Sequence, residues 1–297
     1  EDSPFALLAD TLSAGRDDSR LVQIAAYIFA QVQSHSDPAR WLEEQKVLWE
    51  LEGISDMAQT PWGALLLEDA RRQASFCRDR LELALALTGE DELLRVNYAP
   101  SISATLEGLD AFLAARTWDE AAELLPVDFP TAGKKRKRTL AISPFEEERL
   151  DRVRERVTAI RSRCSKLLDK AAAPFAELTA GHLAELELSR PAVQALMDLV
   201  LDLQTAFSRE KARRGLVDFS DLEHFAVKLL TDGEGKPTEL AQFWGQRYDE
   251  VLVDEYQDTN QVQNAIFNAI SGGGRKLFQV GDVKQSIYRF RLADPTI

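Results

Sequence analysis

Two adjacent carboxylates, Asp254 and Glu255, end the apolar run Val251-Leu252-Val253 within Tyr248-Asp-Glu-Val-Leu-Val-Asp-Glu-Tyr-Gln-Asp-Thr-Asn260. Acids placed just after a short hydrophobic run are what a buried parallel strand delivers to the edge of a sheet, where a ligand can reach them. In α/β proteins that hydrolyse nucleotides, the first such acid holds Mg²⁺ on the phosphates, and the second orients and deprotonates the attacking water. A bare Asp-Glu pair equally fits an ordinary strand followed by a polar turn. The weight therefore falls on the residues that follow.

A helix-like segment, Gln261 to Ile270, and a glycine turn, Gly272 to Gly274, lead to a second apolar run, Leu277-Phe278-Gln279-Val280. That run ends in Gly281-Asp-Val-Lys-Gln285-Ser-Ile-Tyr288-Arg-Phe290-Arg291. Two strands joined by a helical crossover put both polar tips on the same carboxyl edge of one sheet. Gln285, neutral and bidentate, suits the sensing of a terminal phosphate. Tyr288, Phe290 and Arg291 combine flat faces with a cation, which suits stacking on and neutralising single-stranded nucleic acid.

These residues resemble motifs II and III of the UvrD/Rep-like superfamily 1 DNA helicases: Asp-Glu-x-Gln-Asp-Thr, then Gly-Asp-x-x-Gln-Ser-Ile-Tyr-x-aromatic-Arg. The fuller wording through Leu292-Ala-Asp-Pro295 is similar to the AddA (RexA) helicase–nuclease subunits of the bacterial double-strand-break resection machinery. Upstream, Val217-Asp-Phe-Ser-Asp-Leu-Glu-His224 is similar to the segment that enters motif II in that family. Gly15-Arg-Asp-Asp-Ser-Arg20 and Asp37-Pro-Ala-Arg-Trp-Leu-Glu43 read like its accessory helical insertion. The resemblance implies that Asp254 is the Mg²⁺ ligand and Glu255 the general base for ATP hydrolysis. Gln285 would contact the γ-phosphate, and Tyr288, Phe290 and Arg291 would grip single-stranded DNA. Phe290 departs from the tryptophan of many relatives, and stacks with less area. Gln257 and Asp258 are expected to organise the site, and Thr259 to cap the next helix.

The phosphate-cradling loop Gly-x-x-x-x-Gly-Lys-Ser/Thr is absent from these 297 residues. Gly233-Glu-Gly-Lys-Pro-Thr238 does not supply it: its first glycine is misplaced, Pro237 removes a needed N–H, and no strand precedes it. Gly272-Gly-Gly-Arg-Lys276 reads as a turn. No nuclease motif is visible. The chain thus reads as an internal piece of a larger protein, with ATP and Mg belonging to the full-length molecule and none bound by the piece. The same resemblance implies two partners: DNA, as single strand and duplex junction, and an AddB/RexB-type subunit. It also implies a bacterial cytoplasmic, nucleoid-associated setting.

The elements that position these residues follow from spacing. Up to about Arg214 the chain reads as successive helices, started by Ser36-Asp37-Pro38 and Thr60-Pro61, with candidate capping boxes at Thr117/Glu120 and Ser143/Glu146. Leu21, Ile24, Ile28 and Val32 recur at helical spacing. Leu150, Val153, Val157, Ile160, Cys164 and Leu167 form a tighter seam, as do Val193, Leu196, Val200, Leu203 and Phe207. The two are expected to pair as antiparallel partners. Pro174 and Gly181 predict a break between Ala171 and Arg190. The first convincing strand is Glu250 to Val253. The expected fold is therefore mainly α with a small α/β part. A helical accessory (1B-like) domain over 1–214 would precede a partial RecA-like motor domain with parallel strands over 215–297.

No apolar run is long enough to span a bilayer, and no signal peptide is present. Cys77 and Cys164 lack metal-ligand spacing and read as buried free thiols, while His35, His182 and His224 show no ligand pattern. The net charge of −13 hides an asymmetry. Lys134 to Lys170 holds thirteen Lys/Arg against six Asp/Glu, net +7, which leaves −20 for the rest. So acidic a chain can meet nucleic acid only through local patches. Lys134, Lys135, Arg136, Lys137 and Arg138, continued by Arg149, Arg152, Arg156 and Arg163 on a helical stripe, are the candidate DNA contact. The competing reading is a solvated face paired with Glu146 to Glu148. At the level of the whole chain, the alternatives are a UvrD-like helicase without nuclease and a non-catalytic helical protein-interaction module.

Overall fold

In the computed structural model, which describes residues 3–12, 17–132 and 142–285, side-chain caps start most helices where the sequence places them. α1 (Pro4–Leu12) and α2 (Ser19–Val32) are followed by α3 (Pro38–Val47), whose cap Asp37 accepts from the N–H of Arg40 at 3.1 Å. Thr60 caps the long α4 (Pro61–Thr88), and Asp91 caps α5 (Glu92–Ala114). A full capping box of Thr117 and Glu120 opens α6 (Trp118–Leu124). At α7 (Pro144–Ala172) only half of the expected box forms. Ser143 accepts from the Glu146 N–H, but the Glu146 carboxylate turns to Arg149 instead.

The chain folds as two compact units, one of Leu51–Leu188 and the other of Glu1–Glu50 with Ser189–Ile297. Among the described residues the first is wholly helical. Small residues on α4 (Ala70, Ala74, Cys77, Ala84) recur in steps of four, three and seven, on one face of the helix, which lets α7 approach closely. The expected α7 seam buries Val157 and Cys164 in this core, with Val153, Ile160 and Leu167 packed against it. Trp118 is its largest fully buried side chain. The indole stacks on Phe175 at 4.2 Å and donates to the Glu177 carbonyl at 3.0 Å. Cys77 and Cys164 are free, buried thiols, each 3.9 Å from the other's carbonyl.

The predicted break falls after α7, in a short 3-10 turn at Ala173–Ala176, and α8 (Thr179–Arg214) then runs 36 residues with Pro191 inside it. A proline in a helix removes one i→i−4 hydrogen bond; here the helix continues beyond it. Within its own unit each of the two seams is covered by other helices. Val200 of α8 packs with Ala25, Val32 and Leu42 of α2 and α3, whereas the α7 seam packs on α4. Periodicity marks which face of a helix is apolar, but any other apolar stripe can cover it. α1–α3 and most of α8 belong to the compact unit that carries the strands.

In that unit, a capping box of Asp218 and Asp221 opens α9 (Phe219–Leu230). A tight turn then leads to α10 (Glu239–Gly245), capped by Thr238. The turn is the Gly233 to Thr238 segment: Asp232 accepts from the N–H groups of Glu234 and Lys236, and Thr231 bridges Pro237. It is a closed hairpin with no strand ahead of it, as its sequence suggested. β1 (Val251–Val253) pairs in parallel with β2 (Leu277–Gln279), in the register Val251↔Leu277 and Val253↔Gln279. Between them runs α11 (Gln261–Ile270), followed by Gly272, Gly273 and Gly274, all with positive φ. Gly245 permits the close approach of α10 to α11, since a Cβ there would lie 2.5 Å from the Ile270 carbonyl oxygen. The architecture is thus mainly α with one small parallel sheet. Among the described residues no helix is long and apolar enough to cross a membrane.

Candidate functional site

The two strand tips meet as their spacing predicts. Val253 accepts at its carbonyl from the Val280 N–H, and Val280 in turn accepts from the Tyr256 N–H, both at 2.9 Å. The loops that leave β1 and β2 are thereby laced together beyond the strands themselves. Asp254 and Glu255 both lie exposed on this carboxyl edge. Asp254 Oδ1 accepts from the Glu255 N–H at 2.9 Å.

Glu255 sits in the left-handed region, at φ 52° and ψ 43°, and is the one non-glycine residue with positive φ among those described. Such a backbone costs about 1–2 kcal/mol for a residue with a Cβ. Strain of this kind persists where the surroundings over-determine it, and it concentrates at functional sites. The immediate surroundings are a 3-10 turn, Tyr256–Asp258, and the side chain of Gln257. Gln257 is 4% exposed. Its Nε2 donates to Glu255 Oε2, and its Oε1 accepts from the Asp282 N–H at 2.9 Å. A Cβ at position 281 would lie 2.5 Å from Gln257 Oε1, so Gly281 is what lets the second loop close on the first.

Gln285, the candidate phosphate sensor, is exposed and held by its own loop: Nε2 donates to Asp282 Oδ2 at 3.0 Å. Asp282 Oδ1 accepts from the Lys284 N–H, also at 3.0 Å. Asp254, Glu255 and Gln285 are thus brought to one edge by hydrogen bonds that pass through Gln257 and Asp282. The donor set suits a hard cation. Mg²⁺ takes oxygen ligands and is commonly held by one or two carboxylates plus substrate phosphates. Among the described residues no group of three or more His, Cys, Asp or Glu is placed to hold a metal ion.

The elements behind this edge are braced. Asn260, not Thr259, caps α11, in a capping box with Gln263. The Thr259 hydroxyl instead donates to the Tyr256 carbonyl, which closes the 3-10 turn. Tyr256 Oη donates to Asn264 Oδ1 at 2.8 Å, and Gln263 Nε2 donates to Glu223 on α9 at 3.0 Å. His224 is held by backbone on both sides of its ring: Nδ1 lies 2.7 Å from the Ser220 carbonyl and Nε2 lies 3.0 Å from that of His35. At the start of α9, Lys211 Nζ donates to Asp218 at 2.8 Å and Asp221 at 2.7 Å. Burial alone would lower the lysine's pKa, but the two carboxylates outweigh it and raise it. Asp218 is shifted the other way: burial opposes, but Lys211 and backbone donors hold its carboxyl below the ordinary range.

The candidate nucleic-acid residues fare differently. Tyr288, Phe290 and Arg291, and the basic run Lys134, Lys135, Arg136, Lys137 and Arg138, lie outside the described residues. On α7, Arg149 pairs with Glu90 at 2.9 Å and Glu146 at 3.3 Å, and Arg152 pairs with Glu148 at 2.8 Å. The solvated-face reading anticipated such pairing. Beside these pairs a shallow hollow of about 280 Å³ is lined by Arg149, Arg152, Arg156 and Phe145, the last 76% exposed. Gln257, Gly281 and Asn260 carry more of the site's geometry than the sequence indicated. Of these, Gln257 was expected from the family resemblance to organise the site, but neither its partners nor the part of Asn260 was.

Residues 99–297 match the UvrD/REP helicase N-terminal domain. The chain is 33% identical over 301 residues to the A subunit of the ATP-dependent helicase/nuclease of Bacillus velezensis, and 32% identical to that of Bacillus pumilus. It is 30% identical to that of Listeria monocytogenes. Each match covers 99% of this chain, which spans about a quarter, 24%, of the relative's length. With the family's domain matched over more than half of its residues and its two acid-tipped strands paired in parallel, the chain belongs to the UvrD/REP helicase family.

Proposed function

We propose that this chain is the accessory-domain and partial motor-domain portion of an ATP-dependent DNA helicase–nuclease subunit that resects double-strand breaks for recombinational repair. The observation that carries this reading is the joined carboxyl edge, where Asp254, Glu255 and Gln285 come from two parallel strands linked through Gln257. Asp254 would hold Mg²⁺ together with the nucleotide phosphates, and Gln285 would face the terminal phosphate. The metal, when bound, neutralises charge on the phosphate oxygens. Glu255 is the group that takes the proton of the attacking water. Its exposure leaves room for that water, and its fixed backbone sets the direction of approach. Tyr288, Phe290 and Arg291 follow Gln285 within six residues of sequence, so a DNA-gripping segment would lie next along the chain to the phosphate sensor.

The helical residues ahead of 215 serve in this proposal as the accessory domain, with the Leu51–Leu188 unit as its self-contained core. The relatives are named as one lettered component of a helicase/nuclease, which supports a second, AddB/RexB-type partner in a bacterial cytoplasmic setting. Substituting Glu255→Gln in the full-length protein tests the reading at its centre. ATP hydrolysis should fall about 100-fold or more while nucleotide binding persists, because removing a positioned base costs roughly 10²–10⁴ in rate. Hydrolysis retained at the parental rate would show that Glu255 is not the base.

A further inference from the structure

Between the acid pair and the phosphate-sensing loop lies one buried side chain whose two ends face different chemistry. Gln257 presents its amide nitrogen to the Glu255 carboxylate and its amide oxygen to the Asp282 N–H. These partners fix the orientation of the carboxamide, since a carboxylate can only accept and a backbone N–H can only donate. No other common side chain of this length does both. A glutamate would place a second negative oxygen against Glu255, and a methionine would bond to neither. Asp282 continues the path, since its carboxylate accepts from Gln285 Nε2 at 3.0 Å and its carbonyl from the Gln285 N–H at 2.8 Å. The result is a continuous path of hydrogen bonds: Glu255, Gln257, Asp282, Gln285.

We infer that Gln257 is a positioning residue that couples the two halves of the site: it holds Glu255 in its water-activating position only while the loop bearing Gln285 is docked. This rests on the reading of Asp254, Glu255 and Gln285 as the ATP-hydrolysis site. Three observations support it besides the bonds. Gln257 is almost wholly buried, so water does not substitute for either partner. Glu255 has a backbone conformation that its own residue type disfavours, so its placement depends on what grips it. Gly281 leaves room for the amide oxygen and for nothing larger. A shift of the Gln285 loop draws the Asp282 N–H away from Gln257 Oε1, and the carboxamide that orients Glu255 is released with it. Engagement of the second loop is then felt at the base without either residue touching the other.

The test uses the full-length helicase in its native complex, measuring ATP turnover with and without single-stranded DNA, and ATP consumed per base pair unwound. Gln257→Met, which removes both bonds at nearly constant volume, should lower DNA-stimulated kcat by about 10- to 100-fold, the range for groups that orient a reacting side chain, with KM within about twofold. ATP consumed per base pair should rise. Gly281→Ala leaves both glutamine and glutamate chemically intact but crowds the amide; it should show the same split. The double variant should be no worse than the more impaired single, because both break one path. If Gln257→Met does not fold, Gln257→Glu decides in its place, as it keeps the acceptor for Asp282 and replaces the donor to Glu255 with an oxygen that repels it. A kcat within about twofold of the parent, or strictly multiplicative losses in the double variant, overturns the coupling role. Glu255→Gln run alongside separates the two ideas: if it too remains active, the site reading has failed, and not merely the role of Gln257.

Discussion

Glu255 holds a left-handed backbone, at φ 52°, at the point where β1 gives way to the acid pair. An exposed glutamate gains nothing in stability from this conformation, whereas a glycine would adopt it freely. Replacing Glu255 by Gly should therefore leave the fold about 1 kcal/mol more stable than replacing it by Ala, as read from chemical denaturation of the two variants. Equal stabilities would mean that the turn imposes no strain. A stability gain together with lost hydrolysis is the pattern of a residue kept for chemistry. The types and order of Asp254, Glu255 and Gln285 were legible because strand-end acids and a following glutamine are local features. That Gln257 organises the site was expected from the family resemblance, but how it does so was not, because its second partner is the amide of Asp282, 25 residues further along, and no spacing rule relates the two.

The helices that brace this edge depend on a few polar contacts and one aromatic stack. Lys211, at the end of α8, ties the start of α9 through Asp218 and Asp221, and α9 in turn reaches α11 through Glu223 and Gln263. Asp218 titrates below its ordinary value in the fold, so its contribution is present above the usual carboxylate range and is lost as pH falls through the lowered value. Lys211 titrates above its ordinary value, so its contribution is complete below the usual lysine range and is lost as pH rises through the raised value. Amide exchange in the first turn of α9 should thus be slowest between about pH 5 and 9, once corrected for intrinsic rates. Lys211→Met should flatten that dependence and cost about 1–3 kcal/mol, the range for hydrogen bonds to charged groups. An unchanged profile in the variant would rule out the brace. In the other unit, Trp118→Ala should cost about 3–5 kcal/mol by urea denaturation, since it empties a fully buried site and leaves the Glu177 carbonyl unpaired. A loss below about 1 kcal/mol would mean that the Phe175 and Phe112 rings close over the gap.

At the scale of the molecule, charge decides what nucleic acid can touch. A chain at −13 repels a polyanion on average, so binding must be local and steeply salt-dependent. The α7 arginines are partly committed to Glu90, Glu146 and Glu148, which weakens them as free phosphate ligands. Arg156 and the exposed Phe145 bordering the same hollow are the better-placed surface. Anisotropy titration of a single-strand/duplex junction against salt should show a log–log slope that falls by about 0.7–0.9 for each cation–phosphate pairing removed. Charge reversal over Lys134–Arg138 should remove several such pairings, and Arg156→Glu should remove about one. If neither variant changes the slope, the stripe is a solvated or protein-docking face.

Local sequence was enough to specify most helix starts, the two strands and the common edge at which their tips lie, because each is written in neighbours: caps, turn glycines, and acids at the ends of apolar runs. It was enough, too, to mark which faces of α7 and α8 are apolar. What those faces meet is a property of the folded chain only. The α7 seam lies on the small residues of α4, and the α8 seam lies on α2 and α3, each inside its own compact unit. Helical periodicity specifies that a stripe must be buried, not by which partner. The choice among several suitable stripes is settled by how closely their side chains fit, and that fit exists only once the chain has folded.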